Sequence, residues 1–142
     1  MPTFMSMIMF SIPTIIRRNV AESIGCIKMD AIKAELYRLI QQVARKQYPY
    51  CRFPGCGALS DSAHHVWKRD RNGTAFNPEA VIALCTKHHV FAHAEPATFK
   101  MLAKKIIGYK YDYLRELSLT VVQFREADFI RIRDALNRLL KG

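Results

Sequence analysis

The segment Leu84–Pro96, LCTKHHVFAHAEP, sets three of the chain's five histidines directly behind a cysteine. Thiolate and imidazole at such spacing are metal-ligand chemistry, and further candidates lie upstream: Cys51 and Cys56 in CRFPGC, then His64 and His65 in AHHV. One ion cannot use them all. Structural zinc takes four ligands in a tetrahedron, commonly as two closely spaced pairs brought together by the fold. Cys51 with Cys56 and Cys85 with His88 supply two such pairs. Pro54 and Gly55 give the first pair a turn, and the second pair lies one helical turn apart, on one face. Ordinary buried thiols would explain a lone cysteine but not this pairing.

The remaining histidines form a second pattern. His89 and His93 stand at i and i+4, the helical spacing by which two imidazoles grip one ion, and either His64 or His65 can complete a trio. Neighbouring side chains on a strand point to opposite faces, so only one of that doublet meets the metal. Three protein ligands leave positions open for water or substrate, as a catalytic ion requires. A place near a helix N-terminus disfavours protonation of His88 and His89.

The order of these residues resembles the HNH endonuclease family. The family's pattern runs through a cysteine pair, a doublet ending in His, an Asn in a loop, and LC followed by a zinc ligand and a final His; here these are Cys51 and Cys56, His64 and His65, Asn77 in AFNPEAVIALC, then Cys85, His88 and His89. The resemblance implies an α+β fold with a ββα-metal (His-Me finger) core, a structural zinc on Cys51, Cys56, Cys85 and His88, and helices on either side. It implies further that His65 is the general base, that Asn77 holds the loop and helps to orient His65, and that His64, His89 and His93 bind a catalytic divalent ion (Mg2+, Mn2+, Ni2+ or Zn2+). His93 matches the members with HxxxH in the helix, such as colicin-type nucleases. Two departures stand out: His88 occupies a position that is usually cysteine, and the first cysteine pair is spaced more widely than in many members.

The implied activity is hydrolysis of DNA phosphodiester bonds. An imidazole titrating near neutrality can deprotonate water, and a divalent ion can stabilise the leaving 3′ oxygen. The competing reading is a zinc-stabilised nucleic-acid-binding module without cleavage. Composition accords with either, since a formal net charge of +10 attracts phosphate whatever the fold. Lys68, Arg69, Arg71 and Lys87 are placed to grip backbone phosphates, contacts that position DNA without reading sequence. Trp67 is read as a packing residue. Thiolate ligands fit a reducing, cytoplasmic setting, and a single site of this kind acts as a monomer or a homodimer.

The elements that must position these groups follow from periodicity. Asp30–Lys46 carries apolar residues at helical spacing behind a capping Asp30. The Gly- and Pro-rich stretch to Leu84 reads as loops with short strands at AHHV and VIAL. Thr86 is a suitable N-cap for a short helix that ends before Pro96, ATFKMLAKKII ends at Gly108, and YKYDYLREL adds a turn or two. From about Val121 to Leu140, Phe124, Phe129, Ile132, Ala135, Leu136 and Leu139 form the stripe of a terminal helix. Residues 1–28 read as an apolar accessory leader, too short before Pro13 to span a bilayer and with Arg17 and Arg18 on the wrong side for a signal peptide; Met29 is an alternative start. Residues 29–142 then make one domain, with the motif core at 48–96 and helices at 97–142. No membrane association is expected.

Overall fold

The apolar stripe of the first helix belongs to a longer element than its spacing predicts. The computed structural model describes residues 23–69 and 72–142, with side chains from residue 29 onward, and its first element is α1 (Ser23–Gln47). Asp30 is therefore not a cap; it lies on the exposed side of a helix that began about two turns earlier. A polar residue ahead of an apolar run marks a start only where something breaks the helix before it. Gly25 alone costs about 1 kcal/mol there, too little to do so. Met29 and Ile32 extend the buried stripe, so the helix crosses the boundary at residue 29, while the leader expected upstream of Ser23 lies outside the described residues.

Leu36, Leu39, Ile40 and Val43 of α1 meet Phe129, Ile132, Ala135 and Leu136 of the terminal helix α5 (Glu126–Lys141) in one core cluster. Each large side chain buried there contributes ~1.5–3 kcal/mol. The stripe of α5 is as expected, but the helix begins at Glu126 rather than near Val121. Val121 pairs as an isolated bridge with Asn72, which holds its segment extended. The carboxylate of Asp128, 1% exposed, then accepts from the Arg125 N–H at 2.8 Å and pairs with Arg131. That buried acid fixes where the helix starts.

In sequence between these helices come the strands of a two-stranded antiparallel sheet, β1 (Ser62–His65) and β2 (Val81–Leu84), in the register Ser62 with Leu84 through His65 with Val81. The strands sit where AHHV and VIAL placed them. A lone strand pair is marginal, and both of its outer edges are occupied. The Gln41 amide of α1 donates to Ala63 O at 2.7 Å and accepts from Ala63 N at 2.6 Å, while the Arg52 N–H donates to Ala83 O of β2 at 3.0 Å. One face of the sheet, with Ala63 and Val81, joins the α1/α5 core; the other, with Ile82 and Leu84, packs on a second cluster containing Ala92, Phe99 and Ala103.

That second cluster is carried by α2 (Thr86–Ala94) and α3 (Pro96–Ile107). Cys85, not Thr86, is the N-cap of α2, and its side chain makes no capping bond. Asp61 caps from a distance, its carboxylate accepting from the Thr86 hydroxyl at 2.6 Å and the Thr86 N–H at 3.3 Å. Glu95, just before Pro96, breaks the helix at φ −127 and ψ 65, and Gly108 ends α3 at φ 77. A 3₁₀ turn and α4 (Tyr111–Ser118) follow. The fold is α+β, and no helix among the described residues is long and apolar enough to cross a membrane.

Gln41→Ala removes both bonds to Ala63 and leaves a strand edge unpaired. The expected loss is ~1–3 kcal/mol of unfolding free energy, read as a lower midpoint in urea denaturation, with Gln41→Glu, which keeps the acceptor, losing less.

Candidate metal centres

Two groups of ligand-bearing side chains converge, and they divide the candidates as their spacing implies. Cys51, Cys56, Cys85 and His88 bring one donor atom each to within 4.8 Å of all the others. Cys56 Sγ lies 3.8 Å from Cys85 Sγ, and His88 Nδ1 lies 3.3 Å from Cys85 Sγ and 3.5 Å from Cys51 Sγ. A tetrahedral ion with metal–sulfur bonds near 2.3 Å and metal–nitrogen bonds near 2.0 Å implies ligand separations of roughly 3.5–3.8 Å. The cluster is compatible with a structural metal on these dimensions.

Local geometry explains how the wider cysteine spacing is accommodated. The Cys56 N–H returns to Phe53 O at 3.1 Å, with Pro54 and Gly55 between and Gly55 at φ 78. This is a type II turn, whose third position favours glycine. Gly57 follows at φ 73, and the Cys51 N–H is held by Ala58 O at 2.7 Å. The Phe53 ring stacks on His88 at 3.8 Å and 5°, orienting the imidazole so that Nδ1 faces the thiols. Burial raises the Cys51 thiol above its ordinary value, whereas the His88 backbone N–H lowers Cys85.

His64, His89 and His93 form the other group, again with donor atoms within 4.8 Å of one another. Nε2 of His89 and Nε2 of His93 are 3.1 Å apart, and Nδ1 of His64 is buried without a protein partner among the described residues. Ser62, which the spacing of metal-binding residues does not reveal, sets the tautomer of His89. Its hydroxyl donates to Leu84 O at 3.3 Å and so accepts the Nδ1–H of His89 at 2.8 Å. The Nε2 lone pair of His89 is thereby left facing His93, and such an outer bond is how a metal-ligating histidine is ordinarily oriented. The orphaned His64 nitrogen and the close nitrogen pair fit a cation between them. Burial lowers the proton affinity of His64, to about 4, with the charges of His93 and His89 adding to it. Burial likewise leads in lowering His89, ahead of His93.

His65 takes the other face of β1. Its ring meets Tyr37 of α1 edge-on at 5.8 Å, over which the Arg69 guanidinium lies at 4.6 Å. His64 instead touches His89, His93 and Phe99. The doublet thus splits as strand alternation requires. Burial, followed by the charge of Arg69, pushes His65 down to about 3 rather than leaving it near neutrality. Asn77 is 1% exposed and caps the 3₁₀ turn Pro78–Ala80, its Oδ1 accepting from the Glu79 N–H at 2.8 Å. No hydrogen bond joins it to His65 among the described residues; its Nδ2 and Nε2 of His65 are both buried without partners. The turn that Asn77 caps runs into Val81, the strand partner of His65.

Lys68, Arg69 and Lys87 are exposed, while Arg71 lies outside the described residues. Trp67 is partly buried against Tyr111 at 5.3 Å, a packing residue as expected.

Cys56→Ser is expected to release one equivalent of tightly bound metal, measured by elemental analysis, and to lose cooperative thermal unfolding. His93→Ala should retain both. Loss of the tight metal from His93→Ala would mean that the two groups do not divide in this way.

No family model, curated protein or solved structure matches the chain.

Proposed function

We propose that this protein is a metal-dependent endonuclease of the HNH kind that hydrolyses DNA phosphodiester bonds. The observation that carries the reading is the convergence of His64, His89 and His93 from β1 and α2 into one cluster, with His65 next to it in sequence but kept out of the ligand set. In this reading β1, β2 and α2 are the ββα-metal core, and zinc on Cys51, Cys56, Cys85 and His88 holds it together.

His65 is neutral at pH 7 and so can accept a proton from water. Burial, and after it the charge of Arg69, keeps its basicity low, and a phosphodiester anion drawn to Arg69 offsets the second of these. The substrate then strengthens the base as it binds. Lys68 and Lys87 add phosphate contacts, and the net charge of +10 accelerates encounter with DNA. A divalent ion on His64, His89 and His93 would polarise the phosphate and stabilise the leaving 3′ oxygen.

Plasmid, single-stranded and branched DNA should be cut by purified protein with Mg2+, Mn2+, Ni2+ or Zn2+. The His65→Ala rate should fall by ~10²–10⁴, with unchanged far-UV circular dichroism and zinc content. If cutting by every metal and DNA form is indifferent to His65, the enzyme reading fails and the nucleic-acid-binding module replaces it.

The pH profile carries a second expectation. A base works only unprotonated, so activity falls as pH drops through its pKa, and a base lowered to about 3 moves that limb down. At saturating metal, kcat/KM, which reports the free enzyme, should show no acid limb near ~6.5, the ordinary imidazole value.

A further inference from the structure

A cleft of about 490 Å³ opens beyond the outer edge of β2, lined by Tyr48, Arg52, Glu79, Val81, Tyr109 and Lys110 among others, with none of the histidines or cysteines of either metal centre. Its volume lies in the ~300–1,000 Å³ range of small-ligand sites. The groups in it are unevenly matched in charge. Lys110 is paired with Glu79 at 2.7 Å, but among the described residues no carboxylate pairs with Arg52. The Arg52 guanidinium is instead fixed in place: it lies over the Tyr48 ring at 3.8 Å and donates to Ile106 O at 3.1 Å. Its backbone N–H is bound to Ala83 O, immediately after the metal-cluster residue Cys51. An arginine immobilised without a counter-ion leaves its other N–H groups for an anion.

Tyrosine supplies the complementary surface. Tyr109 is 89% exposed and offers its ring beside Lys110, whereas the Tyr48 ring is already covered by the Arg52 guanidinium and serves to hold it. Exposed aromatic faces next to arginine are what a nucleobase stacks on, and arginine with lysine is what its phosphate pairs with.

We propose that this cleft binds a nucleotide, the phosphate on Arg52 with Lys110 beside it and the base against Tyr109. The occupant is either a free mononucleotide or one nucleotide of a nucleic-acid strand; the recognition chemistry is the same. Binding here does not require that the histidine cluster cleave anything, so this site stands or falls separately from the nuclease reading.

The test is titration of the zinc-loaded protein at low salt, without divalent metal added, with AMP, adenosine, inorganic phosphate and a ten-residue oligothymidylate, followed by calorimetry and amide chemical shifts. AMP or the oligonucleotide should bind at least roughly tenfold more tightly than adenosine or phosphate, with shifts at residues 48, 52, 109 and 110. Arg52→Gln and Tyr109→Ala should each weaken that binding by roughly tenfold. Tyr109 is so exposed that its loss leaves the core intact, which keeps the test valid should Arg52→Gln fail to fold. His65→Ala should bind as the parent does. Binding of AMP would identify a free nucleotide as a sufficient occupant; binding of the oligonucleotide alone, with the same dependence, would assign the site to a strand. The proposal is overturned if phosphate binds as well as AMP and the oligonucleotide, if Tyr109→Ala leaves affinity unchanged, or if neither nucleotide ligand binds at millimolar concentration.

Discussion

Successive residues of an α-helix point about 100° apart, and the two candidate metal centres depend on that angle at one place, the junction of His88 and His89. His88 turns back toward the thiols of Cys51 and Cys85, while His89 turns toward Ser62, His64 and His93. Displacing α2 by one residue would deliver each imidazole to the wrong cluster. The start of α2 must therefore be fixed, and it is fixed from outside the helix. Cys85 occupies the N-cap position with its thiol committed to the four-ligand cluster, and Asp61 from the approach to β1 caps through Thr86. The residue that would normally cap its own helix is released for ligation because a distant carboxylate does the capping.

The same economy of elements runs through the sheet. A strand pair of this length would not persist alone, yet its two faces must carry His64 and His65 in opposite directions. The α1/α5 core covers one face and α2/α3 the other, and side-chain and loop groups satisfy the outer edges through Gln41 and Arg52. The Cys51–Cys56 turn lies in a segment with little apolar surface of its own. A metal joining it to Cys85 and His88, at the end of β2 and the start of α2, would offset the entropy of ordering the long connection between them.

What was legible in the sequence was what repeats or pairs within a short span. The stripes of α1 and α5, the strands at AHHV and VIAL, the Gly108 stop and the division of ligands into two groups all rest on local spacing. What was not legible rests on partners far along the chain. Asp30 looked like a cap because no local signal told of the helix continuing behind it. Thr86 looked like one because Asp61 is 25 residues away, and the start of α5 was misplaced because Val121 is held by Asn72. Ser62 and Gln41 are ordinary polar residues by composition; only the tertiary fold gives them a histidine to orient and a strand edge to seal. Ser62 had one faint signal, its place two residues before His64, which puts both on one face of a strand.

Charge ties these features to chemistry. A metal-ligating histidine is commonly backed by a carboxylate, which raises its basicity; here the group hydrogen-bonded to His89 is the neutral Ser62 hydroxyl, and Asp61 acts on it only at a distance. Burial and neighbouring imidazoles lower His64, and burial with Arg69 lowers His65. Burial, the neighbouring imidazoles and Arg69 favour the unprotonated rings, and Asp61 alone opposes them, at His89. The unprotonated ring is the form a metal ligand and a general base both require, so in the proposed reading one environment would serve two roles on opposite faces of a four-residue strand. Among the described residues no carboxylate pairs with Arg69 or hydrogen-bonds to these histidines. In the proposed reading it is the phosphodiester anion, drawn to Arg69 beside His65, that would supply negative charge where the proton is taken up.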